Sequence, residues 1–332
     1  MNNILVLGSG AWGTAIADLI ANNTKKNIYL WAYEEEVARS ISTNYQNKKY
    51  MPGKKLNKNI LADIKLPNLH FKIIFVVIPS QFIFSFFKDF KNHFEKFNKD
   101  KHNFVICSKG IDLQRKKLLS EVVKEFFPKS NIAILSGPSF ANDVLNRKPT
   151  AVTLATKSSK LAKILVDLLS NNYFRVYVSK DIIGVQINGA MKNVLAIAAG
   201  MTEGLNLGEN ARAAILARGI KEITRLVQAV GGKKDTVLGM SGVGDIILTC
   251  VSKSSRNYNF GVMLGKGKKI KDIINKEKQT TEGVENIKVV YFLKKKHNIQ
   301  MPILEAVYKI LVKGYHFNKV INSLLSRPLT ND

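Results

Sequence analysis

Cysteine is scarce in this 332-residue chain: Cys107 and Cys250 are the only two, too few for a disulfide framework in a protein of this size. Both lie in apolar sequence, so the expectation is two buried thiols in a reducing compartment, the cytoplasm. Acidic residues are also few, with 25 Asp and Glu against 51 Lys and Arg, which leaves a formal net charge of +26. Such an excess suits nucleic acid, an anionic membrane surface or anionic small substrates. The lysines are dispersed and runs such as Lys294-Lys295-Lys296 are short. No aromatic RNA-binding motif or zinc-finger spacing accompanies them, so no nucleic-acid partner is expected. Lysine, asparagine and isoleucine are abundant together throughout, as an AT-rich genome produces. Long apolar runs are missing too. Ile73–Ile78 is far too short to cross a bilayer, and no integral membrane segment is expected. The N-terminus has no basic lead-in, and its apolar run breaks at glycines after Leu7, which argues against a signal peptide. His70, His93, His102, His297 and His316 show no ligand spacing, so no metal is expected.

What is present is an ordinary globular composition, 45% hydrophobic and 23% charged, at a length that suggests two domains. Ile4-Leu5-Val6-Leu7 reads as a strand, followed at once by Gly8-Ser9-Gly10-Ala11-Trp12-Gly13 and a helical pattern through Ala15, Ile16, Leu19 and Ile20. A bare G-x-G-x-x-G is weak, but strand, glycine turn and helix in this order have a mechanism. Gly8 permits the tight turn, Gly10 lets backbone N–H groups approach a pyrophosphate, and Gly13 lets helix and strand pack closely. Ile28-Tyr29-Leu30-Trp31 is the next strand and leads into Tyr33-Glu34-Glu35-Glu36. A carboxylate just past this strand would bind a ribose 2′-OH, whereas a cation would accommodate a 2′-phosphate. The same acids also suit the solvated first turn of a helix. NAD is expected to be accepted at least as well as NADP.

The alternation continues with strands at Ile73–Ile78, ending in Pro79-Ser80-Gln81-Phe82, and at Phe104–Cys107, ending in Ser108-Lys109-Gly110. A third, Ile132–Leu135, ends in Ser136-Gly137-Pro138-Ser139-Phe140-Ala141, and runs at Ala151–Leu154 and Arg175–Val178 complete the sheet. Each closes with small residues and turn formers at its carboxyl end, where open α/β sheets bind ligands. Lys109 is the lysine best placed at such an end. From Asp181 onward the periodicity is helical and rich in small residues, which predicts an all-α domain. The fold class is therefore an α/β Rossmann-type dinucleotide-binding domain over 1–180, followed by an all-α C-terminal domain over 181–332.

Within that second half, Ile187-Asn188-Gly189-Ala190-Met191-Lys192-Asn193-Val194-Leu195-Ala196-Ile197 carries one lysine into an apolar helix. Lys192 must either snorkel to water or sit desolvated beside a partner, and desolvation pulls a lysine toward proton exchange at neutral pH. Gly239 to Gly244 reads as a flexible approach to Asp245, which stands at the N-cap or in the first turn of a helix with Thr249 one turn on, on the same face. Ser255, Arg256 and Asn257 at a helix start offer donors for a phosphate dianion, the rival being a plain serine cap before a solvated arginine.

The ordered set GSGAWGTA, IPSQF, CSKG, SGPSFA, INGAMKNVLAIAAG, GVGDIILTC, SSRN and TTEG spans nearly the whole chain and resembles the bacterial-type NAD(P)-dependent sn-glycerol-3-phosphate dehydrogenases. The resemblance implies a nucleotide-binding domain, a helical domain and substrate between them. It implies cofactor contacts at Ala11, Trp12, Tyr33, Phe82, Lys109, Ala141, Arg256, Thr280 and Glu282, beside the glycine turn. It implies substrate contacts at Lys109, Gly137, Ser139, Lys192, Asp245, Ser255, Arg256 and Asn257. Lys192 would be the catalytic lysine, with Asp245 and Lys109 assisting, NAD or NADP the hydride carrier, and dihydroxyacetone phosphate and sn-glycerol 3-phosphate the reactants, for phospholipid synthesis. A homodimer is the expected assembly. Two departures stand out: Ala11 replaces a frequent serine, and Tyr33 stands where a basic or histidine side chain often faces the cofactor. Two alternatives remain at this point: a related dehydrogenase acting on another hydroxy compound, and a nucleotide-sensing or nucleic-acid-binding protein that kept the fold.

Overall fold

Each short apolar run in the first half of the chain, bounded by turn formers, becomes a strand. The computed structural model describes residues 3–97, 102–277 and 282–325. It divides into two units, one of Met1–Lys109 with Lys117–Ile182 and one of Gly110–Lys116 with Ile183–Asp332.

The strands in chain order are β1 (Asn3–Leu7), β2 (Ile28–Trp31), β3 (Ile60–Asp63), β4 (Phe71–Val76), β5 (Asn103–Ile106), β6 (Ile111–Asp112), β7 (Lys117–Leu118), β8 (Asn131–Ser136), β9 (Thr150–Thr156) and β10 (Phe174–Ser179). The first unit carries an eight-stranded sheet in the order β10-β9-β8-β5-β4-β1-β2-β3. β1 to β5 and β8 run parallel, while β9 is antiparallel to β8 and parallel to β10. Leu5, Leu7, Ile74, Phe75 and Val76 are fully buried, which is why these strands read as unbroken apolar runs rather than as alternating ones. β3 escaped the sequence reading because Ile60-Leu61-Ala62-Asp63 is short and mixed. It forms the sheet edge, with Ile60 buried and Leu61 exposed.

Register levels the carboxyl ends of the central strands. Leu7 pairs with Trp31 on one side and Val76 on the other, and Val76 pairs with Ile106. From β1 the chain moves outward through β2 and β3, then returns to β4 on the opposite side of β1. That reversal falls between β1 and β4, and sheets of this kind take ligands at the carboxyl edge beside such a switch.

The second unit is helical. Its Ile182–Gly204 helix has the length and hydropathy to cross a membrane, yet 89% of that window is buried within the protein, so it is the core about which the unit packs. Its small residues allow a backbone-to-backbone crossing with the Arg256–Gly265 helix. A Cβ on Gly200 would stand 2.0 Å from the Tyr258 carbonyl oxygen, and one on Gly261 would stand 2.2 Å from that of Ile197. The glycines before Asp245 play a packing role as well. Met240–Gly244 is wound into a π-turn, and a Cβ on Gly242 would lie 1.9 Å from the Val237 carbonyl oxygen. The expected flexible approach is thus a tightly packed one.

A second buried charge braces this unit. Glu222, on the Gly208–Ala229 helix, is 2% exposed and accepts the backbone N–H groups of Ile303 (2.7 Å) and Leu304 (3.1 Å) at the start of the Pro302–Leu311 helix. It caps a helix that has no side-chain cap of its own. Burial, partly offset by these two N–H donors and by Arg225, raises its pKa to about 7. A carboxyl whose folded pKa lies above its unfolded one contributes stability that is present below the ordinary carboxylate pKa and is lost as pH rises through the folded value. The thermal midpoint of Glu222→Gln, measured against the wild type, should therefore improve in relative terms between about pH 5 and about pH 8. A midpoint difference independent of pH over that range would show that Glu222 does not titrate there.

Candidate active site

The glycine turn between β1 and the Ala11–Thr24 helix is built as its spacing requires. Gly8 has φ +110°, in the left-handed region, and a Cβ there would meet the Val77 carbonyl at 3.0 Å. A Cβ on Gly13 would lie 1.8 Å from the Gly8 carbonyl oxygen, so only glycine lets the helix come this close to the strand end. At Gly10 nothing lies within 4 Å of a would-be Cβ. Gly10 is also the helix N-cap, no side chain caps the helix, and its first turn contains no acidic residue. Its N–H groups and dipole therefore suit an anion such as a dinucleotide's pyrophosphate.

Asn47, which the sequence reading passed over, locks this turn. Fully buried, it donates to the Ser9 carbonyl (2.7 Å) and to Thr14 Oγ1 (2.8 Å), while Thr14 Oγ1 itself donates to the Ser9 carbonyl at 3.1 Å. Its Oδ1 accepts the Tyr50 N–H at 3.1 Å. An asparagine in a lysine-rich loop carries no local signal of such a role; its bonds to Ser9 and Thr14 span 38 and 33 residues in sequence.

The other predicted residues of the first unit lie at the same carboxyl edge. Tyr33, two residues past β2, is 85% exposed, and Phe82, beyond β4, is 55% exposed. Ala11 and Trp12 open the first helix, partly exposed. Lys109 follows β5 and is half-buried before Gly110, whose φ is +141°. Gly137 follows β8, where a Cβ would come within 2.8 Å of the Val152 Cα. Ser139 turns its hydroxyl back to the Gly137 carbonyl at 3.0 Å, and Ala141 starts a short helix.

In the second unit Lys192 does not snorkel. It is 6% exposed, and its Nζ donates to Asp245 Oδ1 at 2.6 Å and to Thr249 Oγ1 at 3.1 Å. Asp245 is 1% exposed and opens the Asp245–Val251 helix, whose N-cap is Gly244, so the carboxylate serves the ammonium rather than capping the helix. Thr249 stands one turn on, 3.4 Å from the same carboxylate oxygen. Two oxygen groups from one helix thus converge on a buried ammonium carried by another. Beside them Cys250 is buried and its thiol pKa is pushed up by desolvation, so it is a packing group rather than a nucleophile.

One residue further along the core helix, Asn193 joins two more predicted positions. It donates to Glu282 Oε2 at 3.0 Å and accepts from Asn257 Nδ2 at 3.1 Å, while Asn257 Oδ1 accepts the Gly283 N–H at 2.9 Å. Asn257 therefore spends its amide holding the start of the Glu282–Lys296 helix. Ser255 is the N-cap of the Arg256–Gly265 helix and accepts the Tyr258 N–H at 3.3 Å, so the capping reading holds for its oxygen. Arg256 is exposed in the first turn. Thr280 lies outside the described residues. Among the described residues, no group of His, Cys, Asp and Glu side chains is arranged to hold a metal ion.

Comparison with known proteins gives one consistent answer. Residues 3–162 match the family described as NAD-dependent glycerol-3-phosphate dehydrogenase N-terminus, and residues 181–322 match the corresponding C-terminus. The NAD(P)+ glycerol-3-phosphate dehydrogenase of Bacillus licheniformis is 40% identical over 338 residues, covering 100% of this chain and 96% of its own. That of Rhodospirillum rubrum is 40% identical over 331 residues, covering 99% and 93%. The crystal structure of glycerol-3-phosphate dehydrogenase from Coxiella burnetii is 36% identical, covers 98% of this chain and 99% of its own, and superimposes with a TM-score of 0.92.

The glycine geometry makes two substitutions separable. Gly10→Ala, at φ −63° with open space around the new methyl, should leave the thermal midpoint within about 2 °C of wild type while weakening NADH binding by about tenfold or more in a fluorescence titration. Gly13→Ala should lower the midpoint itself, because the helix must move off the strand. Equal midpoints for the two variants would contradict the packing role given to Gly13.

Proposed function

Because the chain belongs to the NAD-dependent glycerol-3-phosphate dehydrogenase family, we propose that its NAD(P)-linked interconversion of dihydroxyacetone phosphate and sn-glycerol 3-phosphate runs on the Lys192 ammonium as proton donor. The reduced nicotinamide, when bound, supplies the hydride. Hydride addition to the ketone leaves an alkoxide, and Lys192 delivers the proton that completes the secondary alcohol, then recovers one from solvent. The observation that carries this reading is the buried Lys192–Asp245 contact of 2.6 Å. An ammonium held this way is stabilised as the charged form by its carboxylate and aimed by Thr249, so it meets a developing negative oxygen without reorganising. Arg256, at the start of its helix, is assigned to the substrate phosphate, where guanidinium and helix dipole act together. Binding energy collected at that remote group aligns the carbonyl for transfer. Lys109 keeps the role that the resemblance gives it, a cation for the anionic substrate.

The nucleotide is assigned to residues 1–180 and the substrate phosphate to residues 181–332. Gly8, Gly10 and Gly13 fit a dinucleotide, with the first helix turn free of side-chain caps and acids. The product serves as phospholipid backbone, the protein works in the cytoplasm as a homodimer, and no nucleic acid takes part. The dispersed lysines support the absence of a nucleic-acid partner, and the burial of the core helix supports the absence of a membrane span there.

Mixing the protein with dihydroxyacetone phosphate and, separately, NADH and NADPH should give oxidation followed at the nicotinamide absorbance. Lys192→Ala should keep NADH affinity within about threefold of wild type while lowering kcat by roughly 10²- to 10⁴-fold. Removing one partner of a buried pair costs about 3–5 kcal/mol, so circular dichroism and Asp245→Asn, which keeps the shape, accompany it. Wild-type kcat in a folded Lys192→Ala protein would remove the lysine from the mechanism.

A further inference from the structure

The loop that follows the Glu35–Asn44 helix of the first unit reaches both ends of the adenosine-binding edge. Asn47 holds the Ser9 carbonyl in the glycine turn at 2.7 Å. Three residues later, the Tyr50 hydroxyl donates to Glu34 Oε2 at 3.0 Å, and Lys49 Nζ pairs with Glu34 Oε1. Glu34 lies three residues past the end of β2 and 21 after Gly13, the position from which this fold reads the adenosine ribose. We propose that Glu34, oriented by Lys49 and Tyr50, is the ribose-reading residue of this enzyme and sets a preference for NADH over NADPH. The inference deepens the NAD(P) reading above and rests on it.

The chemistry follows from how the carboxylate is held. An ionised carboxylate offers about four acceptor directions, and Lys49 and Tyr50 take one on each oxygen. The remaining directions suit the vicinal 2′- and 3′-hydroxyls of a ribose, both of which donate. The Lys49 contact, aided by Tyr50, also lowers the Glu34 pKa, so the acceptor stays ionised at neutral pH. A 2′-phosphate in the same place would bring a dianion onto a fixed negative charge and could donate nothing to it. Two cations near this position are already engaged, Lys49 with Glu34 itself and Arg39 with Glu35 at 2.7 Å. Tyr33, exposed just before Glu34, leaves no cation at the strand end. Glu34 is partly exposed, as a group that meets a ligand must be, and its contacts with Lys49 and Tyr50 set it apart from a solvated acid at a helix start.

The test measures binding apart from turnover. Calorimetric titration of the full-length protein with NADH, NADPH, ADP-ribose and 2′-phospho-ADP-ribose gives the ratio of affinities, and kcat/KM with dihydroxyacetone phosphate gives the catalytic one. The wild type should favour NADH, and ADP-ribose over its 2′-phosphate, by about tenfold or more, the size expected for hydrogen bonds to a charged acceptor. Glu34→Gln should shrink that ratio to about threefold or less, mainly by weakening NADH. Lys49→Met should keep NADH ahead, since the carboxylate remains. Tight NADPH binding in the wild type that Lys49→Met abolishes would assign the position to the ammonium and overturn the proposal, as would a ratio unmoved by Glu34→Gln. A binding ratio that favours NADH without any turnover of dihydroxyacetone phosphate would leave Glu34 in its role and count against the dehydrogenase reading instead.

Discussion

One buried ion pair governs the second unit. Lys192 and Asp245, 6% and 1% exposed, have given up hydration that costs several kcal/mol per ion, and only their short contact and surrounding hydrogen bonds offset that loss. Such a pair adds little to stability compared with an apolar replacement of similar shape. What it provides is a positive charge fixed in place within a dry environment, where its field on a neighbouring oxygen is far stronger than in water. The neighbouring packing makes sense in this light. The Ile182–Gly204 helix has to be buried almost throughout, and the glycine contacts with the Arg256–Gly265 helix and the π-turn before Asp245 keep its surroundings from relaxing.

The first unit solves a different problem with the opposite means. Its level strand ends and uncapped helix start leave backbone donors available to an anion; Gly10 leaves open space there, while Gly8 and Gly13 let strand and helix pack closely. Here function depends on what is left out, and stability must come from elsewhere. Asn47 shows how: one buried amide ties the turn, the first helix and the following loop together with three hydrogen bonds. A loop residue far off in sequence thus holds the most constrained part of the nucleotide edge.

Local signals sufficed for much of the architecture because they have local causes. Unbroken apolar runs such as Ile4–Leu7 and Ile73–Val76 are strands because both sheet faces are covered, and the order strand, glycine turn, helix follows from backbone sterics. Lys192 stood out for the same reason, as the one charge in a largely apolar stretch of helix. β3 was missed because an edge strand of four mixed residues has neither an apolar run nor clean alternation. The membrane-length character of Ile182–Gly204 was likewise hidden behind its polar interruptions at Gln186, Asn188, Lys192 and Asn193, each of which finds its place in the interior.

The chain by itself determined the apolar strands of the first unit, the glycine turn and the lysine set in an apolar helix, since each depends on residue types only a few positions apart. Tertiary structure alone decided that Asp245 meets Lys192 instead of capping its helix, that Asn257 turns its amide to Asn193 and Gly283, and that Asn47, Lys49 and Tyr50 converge on the glycine turn and Glu34. These partners are 15 to 64 residues apart. Hydrogen bonds of that range are chosen by burial, because a polar group taken out of water must pair with whatever the packed fold brings within 3 Å or so, and no local pattern records which group that will be.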